Sequence, residues 1–143
     1  MGYCLRRAAV IVVDSSAVIA ILFNEPSANA LITCLGGDPD RRMSAASYLE
    51  VGTVLAGRRR SNKSRAIDDL NAFLDEAGIT LSSVDVDQAR LALQARIAYG
   101  RGMGHGGLLN FGDAFSYALA KSLDAPLLFI GDDFGSTDIA SAL

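Results

Sequence analysis

The 143-residue chain is poor in the side chains that most often move protons or bind transition metals: it has one histidine and two cysteines. The histidine, His105, lies in a glycine-rich stretch, so a histidine-centred triad or shuttle has little footing. Neither Cys4 nor Cys34 stands at metal-ligand spacing from a histidine, and a zinc site is not indicated. Charge is sparse at 20 % of residues, with a formal net charge of −3. That balance argues against a generic nucleic-acid binder. No apolar run approaches the ~18 residues needed to span a bilayer. Arg6 and Arg7 precede an apolar segment in the manner of a secretory signal, but Asp14 cuts the segment short. Gly2 is followed at position 6 by Arg and not by Ser or Thr, so the myristoylation pattern fails. Met1 to Arg7 read as an extension of the first strand, and the folded part can begin as late as Val10. Without an export signal, free thiols in a reducing cytoplasm are expected in preference to a Cys4–Cys34 disulfide. A Gly-x-Ser-x-Gly elbow and a Walker loop are both missing.

What is present is apolar. Half the residues are hydrophobic, which excludes a disordered chain, and the length suits a single domain over residues 1–143. The stretch Ala9-Val10-Ile11-Val12-Val13-Asp14-Ser15-Ser16 is a β-branched run that ends in a carboxylate and two hydroxyls. Such a run reads as a strand buried on both faces of a parallel sheet. In open α/β sheets, ligand chemistry gathers beyond the carboxyl ends of strands, where Asp14 sits.

The rest of the chain alternates helix and strand. A buried helix is expected over Ser16–Phe23, capped by Ser15 or Ser16, with Pro26 opening a second helix that stops at Gly36-Gly37. Asp38-Pro39-Asp40 reads as a turn and Arg42 to Ala45 as a short strand. Ser47-Tyr48-Leu49-Glu50 opens a third helix, which the basic run Arg58-Arg59-Arg60 ends. The spacing predicts a helix from Ser64 to Glu76 with Gly78 as C-cap, a strand at Ile79-Thr80-Leu81 and a helix over Asp87–Tyr99. Five glycines in the eight residues 100–107 mark a loop with freedom to move. Asp113 opens a further helix, Leu127 to Ile130 form a strand, and Thr137 to Leu143 make a final short strand or turn. The class is α/β with a mostly parallel sheet.

Asp14, Glu50, Asp113, Asp132 and Asp133 all stand at element ends. Taken singly, each has a structural role open to it. Asp14 can cap a helix, Ser47-x-x-Glu50 fits a capping box, Asp113 is a natural N-cap, and Asp132-Asp133 fits a turn. Taken together, carboxylates that converge cannot all stay ionised without a cation. Oxygen ligands of this kind suit Mg²⁺, or equally Mn²⁺. A carboxylate-held metal activates water and clamps the attacking and leaving oxygens of a phosphodiester without any histidine.

At these residues the sequence resembles the PIN-domain ribonucleases, most closely the VapC toxins of bacterial toxin–antitoxin pairs. The marks are Val13-Asp14-Ser15-Ser16-Ala17, Ser44 to Glu50, Leu109-Asn110-Phe111-Gly112-Asp113 through Ala118, and Leu127 to Phe134. The resemblance implies a PIN-like three-layer sandwich, with helices around a mostly parallel sheet. It implies that Asp14, Glu50 and Asp113 are the first three acids and metal ligands, with Ser16 in support. Many relatives place the fourth acid two residues before the Asp-Phe pair, where this chain has Gly131, so Asp132 or Asp133 takes that place. The implied activity is Mg²⁺- or Mn²⁺-dependent cleavage of RNA such as tRNA or rRNA. The implied partners are a second copy of the chain and a cognate VapB-type antitoxin that occupies the crevice. Gly131 also motivates an alternative, a PIN-like RNA- or partner-binding module with a weakened site. A haloacid-dehalogenase phosphatase, which also begins with a strand-end aspartate, wants a second aspartate where Ser16 stands.

Two basic groups have double readings. Arg58, Arg59, Arg60, Lys63 and Arg65 either contact RNA phosphates or finish a solvated helix whose dipole they suit. Arg96, Arg101 and His105 flank the glycine-rich loop before Asp113 and are candidate substrate guides. Apolar residues of the first helices, such as Ile19, Leu22 and Leu31, belong to the core, and surplus apolar surface suits a dimer or an antitoxin groove.

Overall fold

The computed structural model describes residues 9–143. Cys4 and the extension Met1 to Arg7 lie outside the described residues. The elements run β1 (Val10–Val13), α1 (Ser15–Leu22), α2 (Ala28–Gly36), β2 (Asp40–Ser44), α3 (Ala45–Arg58), α4 (Ser64–Ala77), β3 (Ile79–Ser82), α5 (Val86–Tyr99), α6 (Phe111–Leu123) and β4 (Leu127–Leu128). The sheet order is β3-β2-β1-β4, and each pairing is parallel.

The unbroken apolar run of β1 has a direct cause. Ile11 and Val13 pack into one cluster with Ala17, Leu31, Met43, Leu70 and Leu128. Val12 points into a second cluster with Ala92, Leu109, Tyr117, Leu119 and Leu127. Ile11, Val12 and Val13 expose nothing. A strand covered on both faces has no polar side to alternate with. Helices α1 to α4 supply the first layer and α5 with α6 the second, giving helix, sheet and helix as three layers.

The winding order decides where a site can form. From β1 the chain moves outward to β2 and β3, then crosses back to β4 on the other side of β1. At such a reversal the strand ends splay apart and leave a crevice at their carboxyl side. The Asp14 amide donates to the Leu128 carbonyl at 2.9 Å, which binds the end of β1 to β4 at that point.

Several boundaries differ from expectation, each for a local reason. The cap of α1 is Asp14 and not Ser15 or Ser16. Helix α2 starts at Ala28, two residues after Pro26. Strand β2 starts earlier, at Asp40, because Asp40 still faces Val10 in the ladder. Helix α3 starts at Ala45 with Ser44 as cap, so Glu50 lies in its second turn and no Ser47–Glu50 capping box forms. Asn110, not Asp113, caps α6. Strand β4 ends at Leu128 because the Ile130 amide is diverted to the Ser16 hydroxyl at 3.1 Å. The tail adds one parallel bridge, Leu127 to Ser141. Gly78 does close α4 in the left-handed region at φ +65°. Among the described residues no helix is long and apolar enough to cross a membrane.

Ile11 anchors the larger cluster from the central strand. Ile11→Ala should lower the unfolding free energy by about 2–5 kcal/mol, read from the urea midpoint at unchanged m-value.

Candidate active site

Asp14 leaves β1 in extended conformation and serves as the α1 N-cap. Its Oδ2 accepts the Ser16 amide at 3.0 Å and the Ser16 hydroxyl at 2.6 Å. Its Oδ1 accepts the Ser116 hydroxyl at 2.5 Å. The carboxylate is 2 % exposed. Capping and a role in the crevice are therefore not rivals, since one side chain has the geometry for both.

Glu50 reaches the same region from α3. The Ser15 hydroxyl donates to its Oε1. Its carboxyl lies against Gly112 of α6, where any β-carbon would collide with it. Glycine at 112 is thus what lets α6 close onto Glu50.

Asp113 is the third residue of α6 and forms a reciprocal capping box. The Asn110 amide donates to Asp113 Oδ2 at 3.0 Å, and the Asp113 amide donates to Asn110 Oδ1 at 2.9 Å. Burial pushes the Asp113 carboxyl up to about 7; the Asn110 amide opposes the shift, and the charges of Asp14 and Asp133 add to it. Asp133 thus lies within electrostatic reach of Asp113. The two aspartates after β4 thus separate. Asp133 meets Asp113, whereas Asp132 is exposed and its backbone carbonyl closes a turn to the Gly135 amide at 3.0 Å. Asp132 does not join the group. Gly131 sits at φ +98°, a conformation that favours glycine and turns the chain so that Asp133 follows.

Four carboxylates from three helices and a strand-end turn therefore share one crevice. The ion pairs among the described residues lie elsewhere: Arg42–Asp40, Arg59–Asp69, Arg90–Asp87 and Lys121–Asp138. Among the described residues no group of three or more His, Cys, Asp or Glu side chains stands close enough together to hold a metal ion. The donor set is all oxygen and fits a hard divalent ion held by two carboxylates with waters filling its shell.

Three serines and an asparagine escaped the sequence reading. Ser15, Ser116 and Asn110 hydrogen-bond the acids directly, and Ser47 reaches them only through Ser116. The signals existed: Asn110-x-x-Asp113 has capping-box spacing, and Ser116 lies one helical turn after Asp113.

The basic candidates are mostly committed within the chain. The Arg96 guanidinium donates to the Leu109 carbonyl and, at 3.5 Å, to that of Arg101, so it ties down the loop and is not a free phosphate contact. His105 is likewise fixed, with Nε2 against the Ile97 carbonyl at 2.9 Å and Nδ1 accepting the Gly107 amide at 3.3 Å. The Arg101 amide donates to the Leu109 carbonyl at 2.9 Å. The loop expected to move freely is thus laced at its base. Arg58 stacks over Phe23 at 4.2 Å, Arg59 pairs with Asp69, and Lys63 caps the Ala56 and Arg59 carbonyls at 2.9 Å. Arg60 and Arg65 are exposed.

A parallel α/β sheet with an acidic, oxygen-only crevice at its β1–β4 reversal defines a carboxylate-centred domain. The chain belongs to the PIN domain family, whose model matches residues 11–140. It is 48 % identical over 131 residues to ribonuclease VapC42 of Mycobacterium tuberculosis, covering 92 % of this chain and 98 % of that one. It is 45 % identical over 130 residues to ribonuclease VapC of Mycolicibacterium smegmatis, covering 91 % and 98 %. Among solved structures it resembles Mycobacterium tuberculosis VapC20, described as a sarcin–ricin loop cleaving toxin. There the TM-score is 0.69 at 19 % identity, covering 91 % of this chain and 96 % of that one. Rickettsia felis VapBC2, bound to a promoter DNA fragment, also gives a TM-score of 0.69, at 12 % identity and coverage of 92 % and 96 %. At those identities the structures show the fold alone.

The raised Asp113 carboxyl predicts a pH dependence. Between about pH 4 and 7 the folded chain keeps a proton that the unfolded chain has lost. Stability contributed by that proton is full below pH 4 and disappears as pH rises through 7. Metal-free protein should therefore show a Tm component that falls across this window. Asp113→Asn, which can still accept from the Asn110 amide, should lack it.

Proposed function

We propose that the chain is a metal-dependent endoribonuclease, the toxin of a VapBC-type toxin–antitoxin pair. The observation that carries this reading is the convergence of Asp14, Asp113 and Asp133 on one crevice, where no basic side chain among the described residues pairs with them. Relatives at 48 % identity that carry the name VapC ribonuclease support it. Mg²⁺ or Mn²⁺ is the cofactor that such a donor set selects. Solved neighbours that are toxin–antitoxin complexes support a VapB-type antitoxin as partner. The substrate class is structured RNA, tRNA or rRNA, met in the cytoplasm by a homodimer of single-domain chains.

When bound, the cation supplies charge to stabilise the phosphorane-like state and lowers the pKa of the attacking water. Asp14 and Asp113 would hold it, with Asp133 completing the negative wall. Glu50 has Oε1 engaged by Ser15, which leaves Oε2 to orient the water and take its proton. Gly112 keeps that oxygen beside the first turn of α6. Against the weakened-site alternative that Gly131 motivates stands Asp133, whose charge reaches Asp113.

The test is cleavage of a total tRNA and rRNA pool by antitoxin-free protein with Mg²⁺, with Mn²⁺ and with chelator. Discrete fragments that vanish with chelator and in folded Asp14→Asn and Asp113→Asn are expected. Cleavage that survives chelation, or that both variants retain, would overturn the reading. A finer variant is Gly112→Ala. The clash falls on the free end of a flexible glutamate, so the helix keeps or gains stability, up to about 1 kcal/mol. Cleavage should nonetheless fall, because Glu50 is displaced. An equal or higher Tm with lower turnover is the expected pair of results.

A further inference from the structure

Asp14 is oriented by a chain of hydroxyls whose direction can be assigned. Ser116, fully buried on α6, donates to Asp14 Oδ1 at 2.5 Å. A serine has one O–H, and the ionised carboxylate only accepts, so that proton is spent on Asp14. Ser47 of α3, 2 % exposed, lies 3.1 Å from the Ser116 oxygen. Ser47 must therefore be the donor in that pair, and the relay runs one way, from Ser47 to Ser116 to Asp14.

The bonds to Asp14 can be set against its capacity. A carboxylate has about four lone-pair sites, two on each oxygen. Oδ2 spends both on the Ser16 amide and hydroxyl. Oδ1 spends one on Ser116. Counting partners among the described residues, one site is left, on Oδ1, and its direction is fixed by where Ser116 pulls that oxygen. We infer that Ser116 is a positioning residue that aims the single free lone pair of Asp14 at the cation, with Ser47 holding Ser116 in place. This rests on the nuclease reading and adds to it a residue outside the acidic set. Outer partners of metal ligands act in this way, by fixing the ligand's orientation.

The test reads metal affinity directly and needs no RNA. Mn²⁺ is titrated into the full chain and free Mn²⁺ is followed by its electron paramagnetic resonance signal, for wild type, Asp14→Asn, Ser116→Ala and Ser47→Ala. Ser116 and Ser47 are almost equally buried, so loss of either hydroxyl should cost similar metal-free stability, checked by the urea midpoint. Only their distance from the carboxylate differs. Ser116→Ala should weaken Mn²⁺ binding about 10–100-fold, and Ser47→Ala by a clearly smaller factor, since the Ser116–Asp14 bond survives it. Wild-type affinity in Ser116→Ala, with binding lost in Asp14→Asn, would overturn the assignment and leave the nuclease reading standing. Equal losses in the two serine variants would also overturn it, because the effect would then be packing. Absence of Mn²⁺ binding in the wild type would overturn both.

Discussion

Like charge held at short range is the constraint around which the crevice is built. Asp14 and Asp133 both act on Asp113, and among the described residues no lysine or arginine pairs with any of the three. The chain holds them with neutral donors instead. Hydroxyls from Ser15, Ser16 and Ser116 and an amide from Asn110 bind the carboxylates without cancelling their charge. That distinction has a chemical consequence. A guanidinium would satisfy the acids and leave nothing for a cation to do, whereas hydroxyls satisfy geometry and leave the field intact. Orientation and charge are thus supplied separately, the first by the fold and the second by whatever cation enters.

The fold meets this demand through its winding order. Because the chain returns to β4 beside β1, the residues after both strands face the same crevice. The Ser16 hydroxyl fastens the two ends: it donates to Asp14 and accepts from the Ile130 amide. This shortens β4, and the Gly131 turn then brings Asp133 back toward Asp113. From the other layer, the Leu109 carbonyl receives both the Arg96 guanidinium and the Arg101 amide. That pins the entry to α6 one residue before its cap. The capping box then sets Asp113, and Gly112 brings Glu50 alongside. Each acid is positioned by a backbone feature that would exist for structural reasons alone.

This double use explains what the sequence disclosed and what it hid. The β1 run, the alternation of elements and the Gly78 cap were readable because burial and left-handed geometry leave strong local patterns. The acids stood out because the sequence reading set each near the end of an element, although Glu50 proves to lie in the second turn of α3. Boundaries failed where side chains replaced backbone partners: β4 stopped two residues early where Ser16 takes the Ile130 amide, and α3 began at Ala45, capped by Ser44 and not by Ser47. Asp132 and Asp133 could not be separated from sequence, because adjacent positions differ only in the direction the turn gives them. The serines were invisible for a different reason. Ser47 and Ser116 are far apart in the chain and meet only when α3 packs on α6.

The arginines bear on how a net-negative chain could meet a polyanion. Arg58, Arg59, Lys63 and Arg96 are occupied by an aromatic ring, a carboxylate or carbonyls of this same chain. Arg58 also lies eight residues along α3 from Glu50, about 12 Å by helix rise. The basic run therefore cannot offset the acids locally. On the nuclease reading, the attraction for a scissile phosphate arises at the acidic crevice itself, once a divalent ion has reversed its sign. On that reading, such a crevice would repel RNA without the ion and attract it with the ion in place. Binding and cleavage then depend on the same event, which neutral hydroxyl donors permit and a resident arginine would have prevented.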